Sequence, residues 1–376
     1  MRKVFLIFLS FLVVTRLIIP SFDIFLAKQV INLKFKADIK NNMFDYNVAE
    51  NSEYEDFRVM ETFAENAMVY VGGVPIGISL NSKGIIVIGK TDVITEFGLK
   101  STVKNSDIQN GDIITEIEGA VINSADDLSR VINEEKNKGK RLSVLLTRGK
   151  NQIDTIIEPQ LDASTKKYKA GLWIREETFG IGTLTFIRQN DRRFGALGHP
   201  VSDPDTGEIL EIRSGAASEC NITGIIKGER GRAGELKGVI AKSDTVGLID
   251  KNNMFGIFGT HSKTYSNPLY PHPIPVMNKK DIKPGKAKIL STIDGTMPKE
   301  YDIEIIKSFN QNKPTDKNLV IRVTDKELLA STGGIVQGMS GSPILQNGKF
   351  CGAVTHVFIN DPTKGYGVFA DWMLQQ

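Results

Sequence analysis

The last part of the chain, from about Ala170 onward, is a succession of short β-strand patterns separated by turns rich in glycine. Segments such as GIGTLTFI, RFGALGHPV, KGVIAKSDTVGLI, NLVIRVTD and FCGAVTHVF follow one another, and no long helix is evident before ADWMLQQ. Short strands at regular spacing are typical of all-β barrels and sandwiches. Residues 161–376 are therefore predicted to form one all-β domain.

A second compact unit, of α+β type, is predicted for residues 67–160. VPIGISL and KGIIVIG are typical of strands, NGDIITEIEG of a turn before an apolar strand, and RLSVLLTRG of a closing strand. Between them, Ser124 is a candidate N-cap with Asp127 three residues later, and apolar residues at helical spacing follow. This order of elements resembles a PDZ domain of the bacterial, permuted kind.

The resemblance to PDZ domains carries an implication for binding. Such a domain binds the C-terminus of a peptide beside a loop of hydrophobic-Gly-hydrophobic sequence, and the peptide adds as a strand. Ile76, Gly77 and Ile78 are the matching triplet. The resemblance thus implies that these residues bind a peptide C-terminus or another copy of the chain. The alternative is that the triplet only begins a strand.

The N-terminus carries a targeting pattern. Arg2 and Lys3 precede the apolar run VFLIFLSFLVV, which has the length of a signal-peptide core, and no small-x-small cleavage site follows closely. Residues 1–27 are predicted to be either a signal anchor in the membrane or a removed signal peptide. Both interpretations send the rest of the chain across a membrane. Residues 28–66, which include an acidic stretch, are predicted to be a linker.

Bulk composition argues against several partners and cofactors. The net charge is only +3, and no basic block with interleaved aromatic residues occurs, so nucleic acid is not an expected partner. The four histidines and two cysteines lack the spacing of metal ligands, and we expect neither a metal nor another cofactor. Cys220 and Cys351 are predicted to be packed thiols, and a bridge between them is the alternative.

The stretch GGIVQGMSGSPILQNGKF, near the C-terminus, sets two serines among glycines just before a predicted strand. Glycines beside a serine allow sharp turns and leave N–H groups exposed, as a nucleophile and its oxyanion donors require. An ordinary tight turn has the same needs. GMSGSP is similar to the GDSGGP motif of chymotrypsin-like serine proteases. That similarity implies Ser340 as the nucleophile and the N–H groups of Gly338 and Ser340 as oxyanion donors, with Ser342 as the rival nucleophile.

A nucleophilic serine needs a base, and the base needs an orienting acid. His199 follows an apolar strand in FGALGHPV, where an imidazole can face a cleft. His356, in the middle of VTHVF, is instead predicted to be a core histidine. Asp325 ends the strand NLVIRVTD, and its position alone favours an N-cap of the helical turn that follows.

The leader, the PDZ-like unit, GALGHPVSDPDTG and GGIVQGMSGSPILQNGKFCGAVTHVFINDPTKGYGVFADWML together resemble the stage IV sporulation protein B peptidase family of endospore-forming bacteria. The resemblance implies a mainly β fold in which a PDZ domain precedes a chymotrypsin-like, barrel-type serine peptidase domain. Residue by residue, it implies a catalytic triad of His199, Asp325 and Ser340.

The same resemblance implies a biological role. Family members are secreted endopeptidases of the space between the two membranes around the forespore. There they cleave a membrane-anchored regulatory protein and so trigger sigma-factor maturation. They also cleave themselves near the N-terminus, and the acidic segment at about 42–60 is where we expect that cut.

Two other functions stay open. A PDZ-containing extracytoplasmic quality-control protease would degrade many unfolded proteins, whereas a signalling peptidase cuts few targets. An inactive binding module would keep the fold without the chemistry, although the presence of all three triad residues argues against it.

Overall fold

Strands dominate the residues that the structure, a computed structural model, describes, which are 67–205, 207–309 and 314–376. The predicted leader over 1–27 lies outside the described residues. The linker, with the expected self-cleavage segment, ends before residue 67 and lies outside them too. The prediction of a mainly β chain is confirmed.

In chain order the strands are β1 (Met68–Val71), β2 (Pro75–Lys90), β3 (Val93–Thr95), β4 (Gly98–Lys100), β5 (Ile113–Ile117), β6 (Ala120–Val121), β7 (Leu142–Arg148), β8 (Asn151–Ile157), β9 (Gln160–Leu161), β10 (Tyr168–Lys169), β11 (Leu172–Arg188), β12 (Arg193–Ala196), β13 (Ile212–Ile226), β14 (Glu235–Asn253), β15 (Gly256–His261), β16 (Ile274–Pro275), β17 (Gly285–Ser291), β18 (Lys299–Ser308), β19 (Leu319–Val323), β20 (Pro343–Gln346), β21 (Lys349–Phe358) and β22 (Asp361–Phe369). The α-helices of the described residues are α1 (Ala125–Ile132), α2 (Lys326–Thr332) and α3 (Ala370–Leu374), and a 3-10 helix spans Lys279–Asp281.

A first antiparallel barrel is formed by β2, β11, β12, β15, β14 and β13, and it closes because β13 pairs back with β2. Successive side chains of a strand point to opposite faces, so the apolar face of each strand turns inward. Ile78, Leu184, Phe194, Ala217 and Ile257 are buried together in its core. The chain leaves this barrel after β12, just before His199.

A second closed barrel follows in the sequence. Its strands run in the order β17, β18, β19, β22, β21 and β20. Ile289, Ile303, Ile321, Val354 and Val368 are all buried in its core. The turn that carries the two serines leads directly into β20.

The predicted α+β unit has a hydrophobic cluster of its own. β5, β7 and β8 extend the sheet from the second half of β2, and the apolar face of α1 joins their buried side chains. The predicted cap of this helix is confirmed, because the N–H group of Asp127 donates to Ser124 Oγ at 3.0 Å. Yet β2 is shared, since its first half pairs with β11 and β13 of the first barrel. The boundary predicted near residue 160 thus separates segments that share a strand.

The triplet Ile76, Gly77 and Ile78 lies inside β2 and forms no loop. It pairs with β11 on one side and with β13 on the other, so neighbouring strands already occupy its backbone groups. A side chain at Gly77 would have its Cβ 2.3 Å from Ile240 Cγ2, so β2 packs closely against β14 at this position. The alternative, a strand, is what forms, and these pairings do not favour the predicted binding of a peptide C-terminus by the triplet.

Cys220 in β13 and Cys351 in β21 are buried and unbonded. They are packed thiols, as predicted, and the alternative bridge does not form. Burial raises the pKa of the Cys351 thiol to about 12. In the part of the chain that is described, no helix is both long enough and apolar enough to span a membrane.

Candidate active site

A cavity of about 480 Å³, the site cavity, lies where the two barrels meet. One wall comes from the first barrel and includes Phe179 of β11. The opposite wall comes from the serine turn and β21 of the second barrel. The predicted catalytic and oxyanion residues His199, Gly338 and Ser340 line it, and so does Ile78 of the predicted peptide-binding triplet. His199 is far from Gly338 and Ser340 in sequence and meets them only because the barrels pack together.

His199 enters the site cavity from a sharp bend after β12. Leu197 and Gly198 have φ angles of 70° and 73°, the left-handed region, which breaks the strand. The imidazole Nδ1 lies 2.8 Å from the carbonyl oxygen of Pro200. Because a carbonyl can only accept, Nδ1 carries the proton and Nε2 presents a lone pair. Nε2 is thus the basic nitrogen.

The surroundings of His199 favour its neutral form. Burial lowers the pKa of this imidazole, and the Pro200 carbonyl and the charge of Asp316 oppose part of that shift. A neutral imidazole is the form that can accept a proton. His199 therefore has both the tautomer and the charge state that a general base needs.

Ser340 lies at the bend before β20. Its Oγ–H donates to the carbonyl oxygen of Thr355 at 2.9 Å, so in this resting geometry the hydroxyl is held by β21 rather than by His199. Catalytic hydrogen bonds are often unformed until substrate binds. Gly341, the next residue, has φ of 93°, and a Cβ there would lie 2.2 Å from the Thr183 carbonyl oxygen. The bend therefore requires glycine at this position.

Two backbone donors are available beside the hydroxyl. Within the described residues, neither the N–H of Gly338 nor that of Ser340 donates a hydrogen bond. The carbonyls of the same two residues are both held by Thr183, through its hydroxyl at 2.9 Å and its N–H at 3.0 Å. These two residues are thus held by their carbonyls, while their own N–H groups are unbonded. Two unbonded N–H groups beside a nucleophilic hydroxyl are what an oxyanion hole needs.

Asp325 does not reach this group of residues. Its Oδ1 accepts from the N–H of Leu328 at 2.9 Å and so caps α2, and its Oδ2 accepts from the N–H of Asp302 at 3.3 Å. It is not among the residues that line the site cavity. The N-cap that its sequence position favours is confirmed, and its catalytic role stays a prediction.

His356 has a different position from the one predicted. It lines the site cavity, with ring centroids of His356 and His199 only 4.9 Å apart. Its Nδ1 is buried without a hydrogen-bond partner and lies 3.9 Å from Oδ2 of Asp316. The expectation of a core histidine is therefore wrong. Asp316 was not predicted as a site residue, because a lone carboxylate in the loop NKPTDKN carries no local signal.

Ser342, the rival nucleophile, is fully buried. Its Oγ donates to Oγ of Ser291 in β17 at 3.1 Å. It does not line the site cavity. Its hydroxyl is therefore part of the barrel interior, out of reach of a substrate.

Comparison with known proteins identifies one family. The model of the family described as SpoIVB peptidase S55 matches residues 166–374, more than half of the chain. Among solved structures, the Rv3671c protease from M. tuberculosis in its active form is 16% identical over 53% of this chain and 73% of that chain, with a TM-score of 0.29. The inactive form is 15% identical over 52% and 82%, with a TM-score of 0.30. At these TM-scores neither likeness bears on fold or function. No curated protein sequence has a significant match.

Proposed function

Because the chain belongs to the SpoIVB peptidase S55 family and is thus a serine peptidase of sporulation, we propose that Ser340 is its nucleophile and His199 its general base. One observation carries this proposal: His199, Gly338 and Ser340, from two different barrels, line a single cavity. The arrangement agrees with the two-barrel, chymotrypsin-like fold that the resemblance implies.

The reaction follows from the hydrogen-bond pattern. When a peptide enters, the Ser340 hydroxyl leaves the Thr355 carbonyl and turns to Nε2 of His199. Nε2 takes the proton as Oγ attacks the peptide carbonyl carbon, and the free N–H groups of Gly338 and Ser340 bind the oxyanion. The imidazolium then returns its proton to the leaving amine. Water hydrolyses the acyl-enzyme by the same steps in reverse order.

The acid of the triad has a candidate from the family resemblance, Asp325. Its carboxylate accepts hydrogen bonds from backbone amides at the start of α2. For it to orient His199, α2 would have to move relative to the site cavity. Its role is therefore the least supported part of the predicted triad.

We further propose that the peptidase acts outside the cytoplasm, between the membranes around the forespore, on a membrane-anchored regulatory protein. The family and the N-terminal leader pattern support this location.

The hydrophobic cluster shared by α1 and β5, β7 and β8 supports a PDZ domain for residues 67–160. A partner's or second copy's C-terminus would bind elsewhere in that unit than at β2, whose pairing is complete on both sides.

Self-cleavage tests this proposal without knowledge of the substrate. The full chain and its Ser340→Ala and Ser342→Ala variants are purified and followed on a gel. We expect the wild type to shorten near its N-terminus, Ser340→Ala to be slowed by at least about 10⁴-fold, and Ser342→Ala to retain cleavage. Loss of cleavage in Ser342→Ala with retention in Ser340→Ala would contradict the assignment. Degradation of casein by the wild type would favour a quality-control protease.

A further inference from the structure

We propose that Asp316 and His356 are positioning residues for His199, and that together they provide the carboxylate support that Asp325 does not bring to the site cavity. This inference rests on the proposed function, since it concerns the base of the same reaction. It adds two residues that the family resemblance does not assign.

Three side chains lie close together. The ring of His356 lies against that of His199, with centroids 4.9 Å apart and planes inclined by 38°. Nδ1 of His356 lies 3.9 Å from Oδ2 of Asp316. A movement of about 1 Å would bring these two atoms within hydrogen-bond distance. The buried Nδ1 has no other partner among the described residues.

β21, the strand that carries His356, also makes hydrogen bonds to the proposed nucleophile and to the backbone of Asp316. Thr355, its neighbour in β21, accepts the hydroxyl of Ser340 on its carbonyl oxygen. The Thr355 hydroxyl donates to the backbone carbonyl of Asp316 at 3.2 Å. Two adjacent residues of one strand thus fix the serine, the histidine pair and the loop of Asp316. A surface contact made by chance would not be joined to the nucleophile in this way.

The electrostatics agree with the geometry. Burial lowers the pKa of His356 to about 4, and the nearby imidazole of His199 and the charge of Lys317 add to the shift, whereas Asp316 opposes it. His356 therefore stays neutral at neutral pH. When His199 takes the proton of Ser340, the new imidazolium lies against a neutral aromatic ring, which attracts a cation. Asp316 supplies a negative charge that acts on both rings and favours their protonated forms.

Asp316 and Asp325 are not interchangeable in this fold. Asp316 precedes β19 and Asp325 follows it, so a strand of about 16 Å separates them. Asp316, just before β19, is the carboxylate that lies near His356. The two carboxylates therefore make different predictions for the same experiment.

The experiment measures the rate at which a fluorophosphonate probe acylates Ser340, as a function of pH, in the full chain. Variants are Asp316→Asn, His356→Phe and Asp325→Asn, with Glu304→Gln as a control that removes an exposed carboxylate of β18. Asparagine caps helices as well as aspartate does, so Asp325→Asn keeps the acceptor of the Leu328 N–H at the start of α2, and it removes the charge and the long contact to the N–H of Asp302.

We expect Asp316→Asn to slow labelling about 10- to 100-fold and to move the acidic limb of the profile to lower pH, by up to about one unit. The direction follows because the charge of Asp316 raises the pKa of His199, and its loss lets burial lower that pKa further. His356→Phe keeps a ring beside His199 but loses Nδ1, and we expect it to slow labelling. Adding Asp316→Asn to His356→Phe should then slow labelling by a smaller factor than adding Asp316→Asn to the wild type. Asp325→Asn should slow labelling less than Asp316→Asn does.

The outcomes separate this inference from the proposed function. If Asp325→Asn is slowed more than Asp316→Asn, or if Asp316→Asn matches Glu304→Gln in rate and pH limb, the inference is overturned while Ser340 remains the nucleophile. If the wild type takes no label on Ser340, the proposed function itself fails.

Discussion

At the scale of single residues, the proposed reaction depends on two imidazoles that are kept neutral by burial. His199 is the proposed base, and a protonated base cannot accept the proton of Ser340. His356 lies against it, and two adjacent imidazoles disfavour a charge on both. Burial is the largest cause of the lowered pKa of each. The site is therefore built to work with both rings uncharged in the resting enzyme.

This burial predicts a pH-dependent stability. In the unfolded chain His356 takes a proton as the pH falls below about 6.5, whereas in the folded protein it does so only near a pKa of about 4. Between these values the unfolded state binds more protons, so the free energy of unfolding decreases as the pH falls. His356→Phe removes this contribution, whereas the similar contribution of His199 remains.

Urea unfolding at about pH 7 and about pH 5 measures the effect. Both proteins carry Ser340→Ala to prevent self-cleavage. We expect the free energy of unfolding to fall less in the His356→Phe variant than in its parent. An equal fall in the two proteins would mean that His356 takes its proton equally readily in both states.

The residue scale is also where the sequence is least informative. Ser340 and His199 are recognisable because glycines and a strand end mark their surroundings. His356 was predicted to be in the core, because alternation along VTHVF gives the face of a strand but not what lies opposite that face. Asp316 follows a polar stretch of sequence, and only the strand that crosses near it places it beside His356.

At the scale of elements, β11 joins the two halves of the site. Leu184 points into the core of the first barrel, and its neighbours Thr183 and Thr185 point the other way, toward the serine turn. The Thr185 hydroxyl donates to the carbonyl oxygen of Gly341 at 2.8 Å, and this hydrogen bond is buried. One strand of the first barrel therefore fixes the turn that carries Ser340, the proposed nucleophile.

Replacing Thr185 with valine tests this link. The variant keeps the shape of the side chain but leaves the buried carbonyl of Gly341 without its donor, which costs about 1–3 kcal/mol of unfolding free energy. We also expect kcat to fall about tenfold, because a small displacement of a nucleophile is costly. Peptide cleavage and urea unfolding give the two numbers.

Thr102→Val is the matched control. The Thr102 hydroxyl donates a buried hydrogen bond to the carbonyl oxygen of Ala170, which packs in the hydrophobic cluster of α1, β5, β7 and β8. We expect a similar loss of stability and an unchanged kcat. If both variants lose kcat equally, the effect comes from general loosening and not from the link to Ser340.

At the scale of the whole molecule, barrel closure sets the geometry of the site. The sequence predicts the strands, the mainly β content and the capped helix α1, because alternation, glycine turns and capping residues are local signals. The closure of the first barrel could not be predicted from the sequence. It depends on β2, which belongs by sequence to the predicted 67–160 unit but pairs with β13, more than a hundred residues away. Alternation shows which face of a strand is buried, and it does not identify the partner strand.

The central claim is that the two barrels bring His199 and Ser340 into one catalytic group. The most direct test is to treat the full chain and its His199→Ala variant with a fluorophosphonate probe and to map the labelled peptide by mass spectrometry. We predict a single label on Ser340 in the wild type and essentially none in His199→Ala. A label on Ser342, or equal labelling of Ser340 with and without the imidazole, would contradict the account.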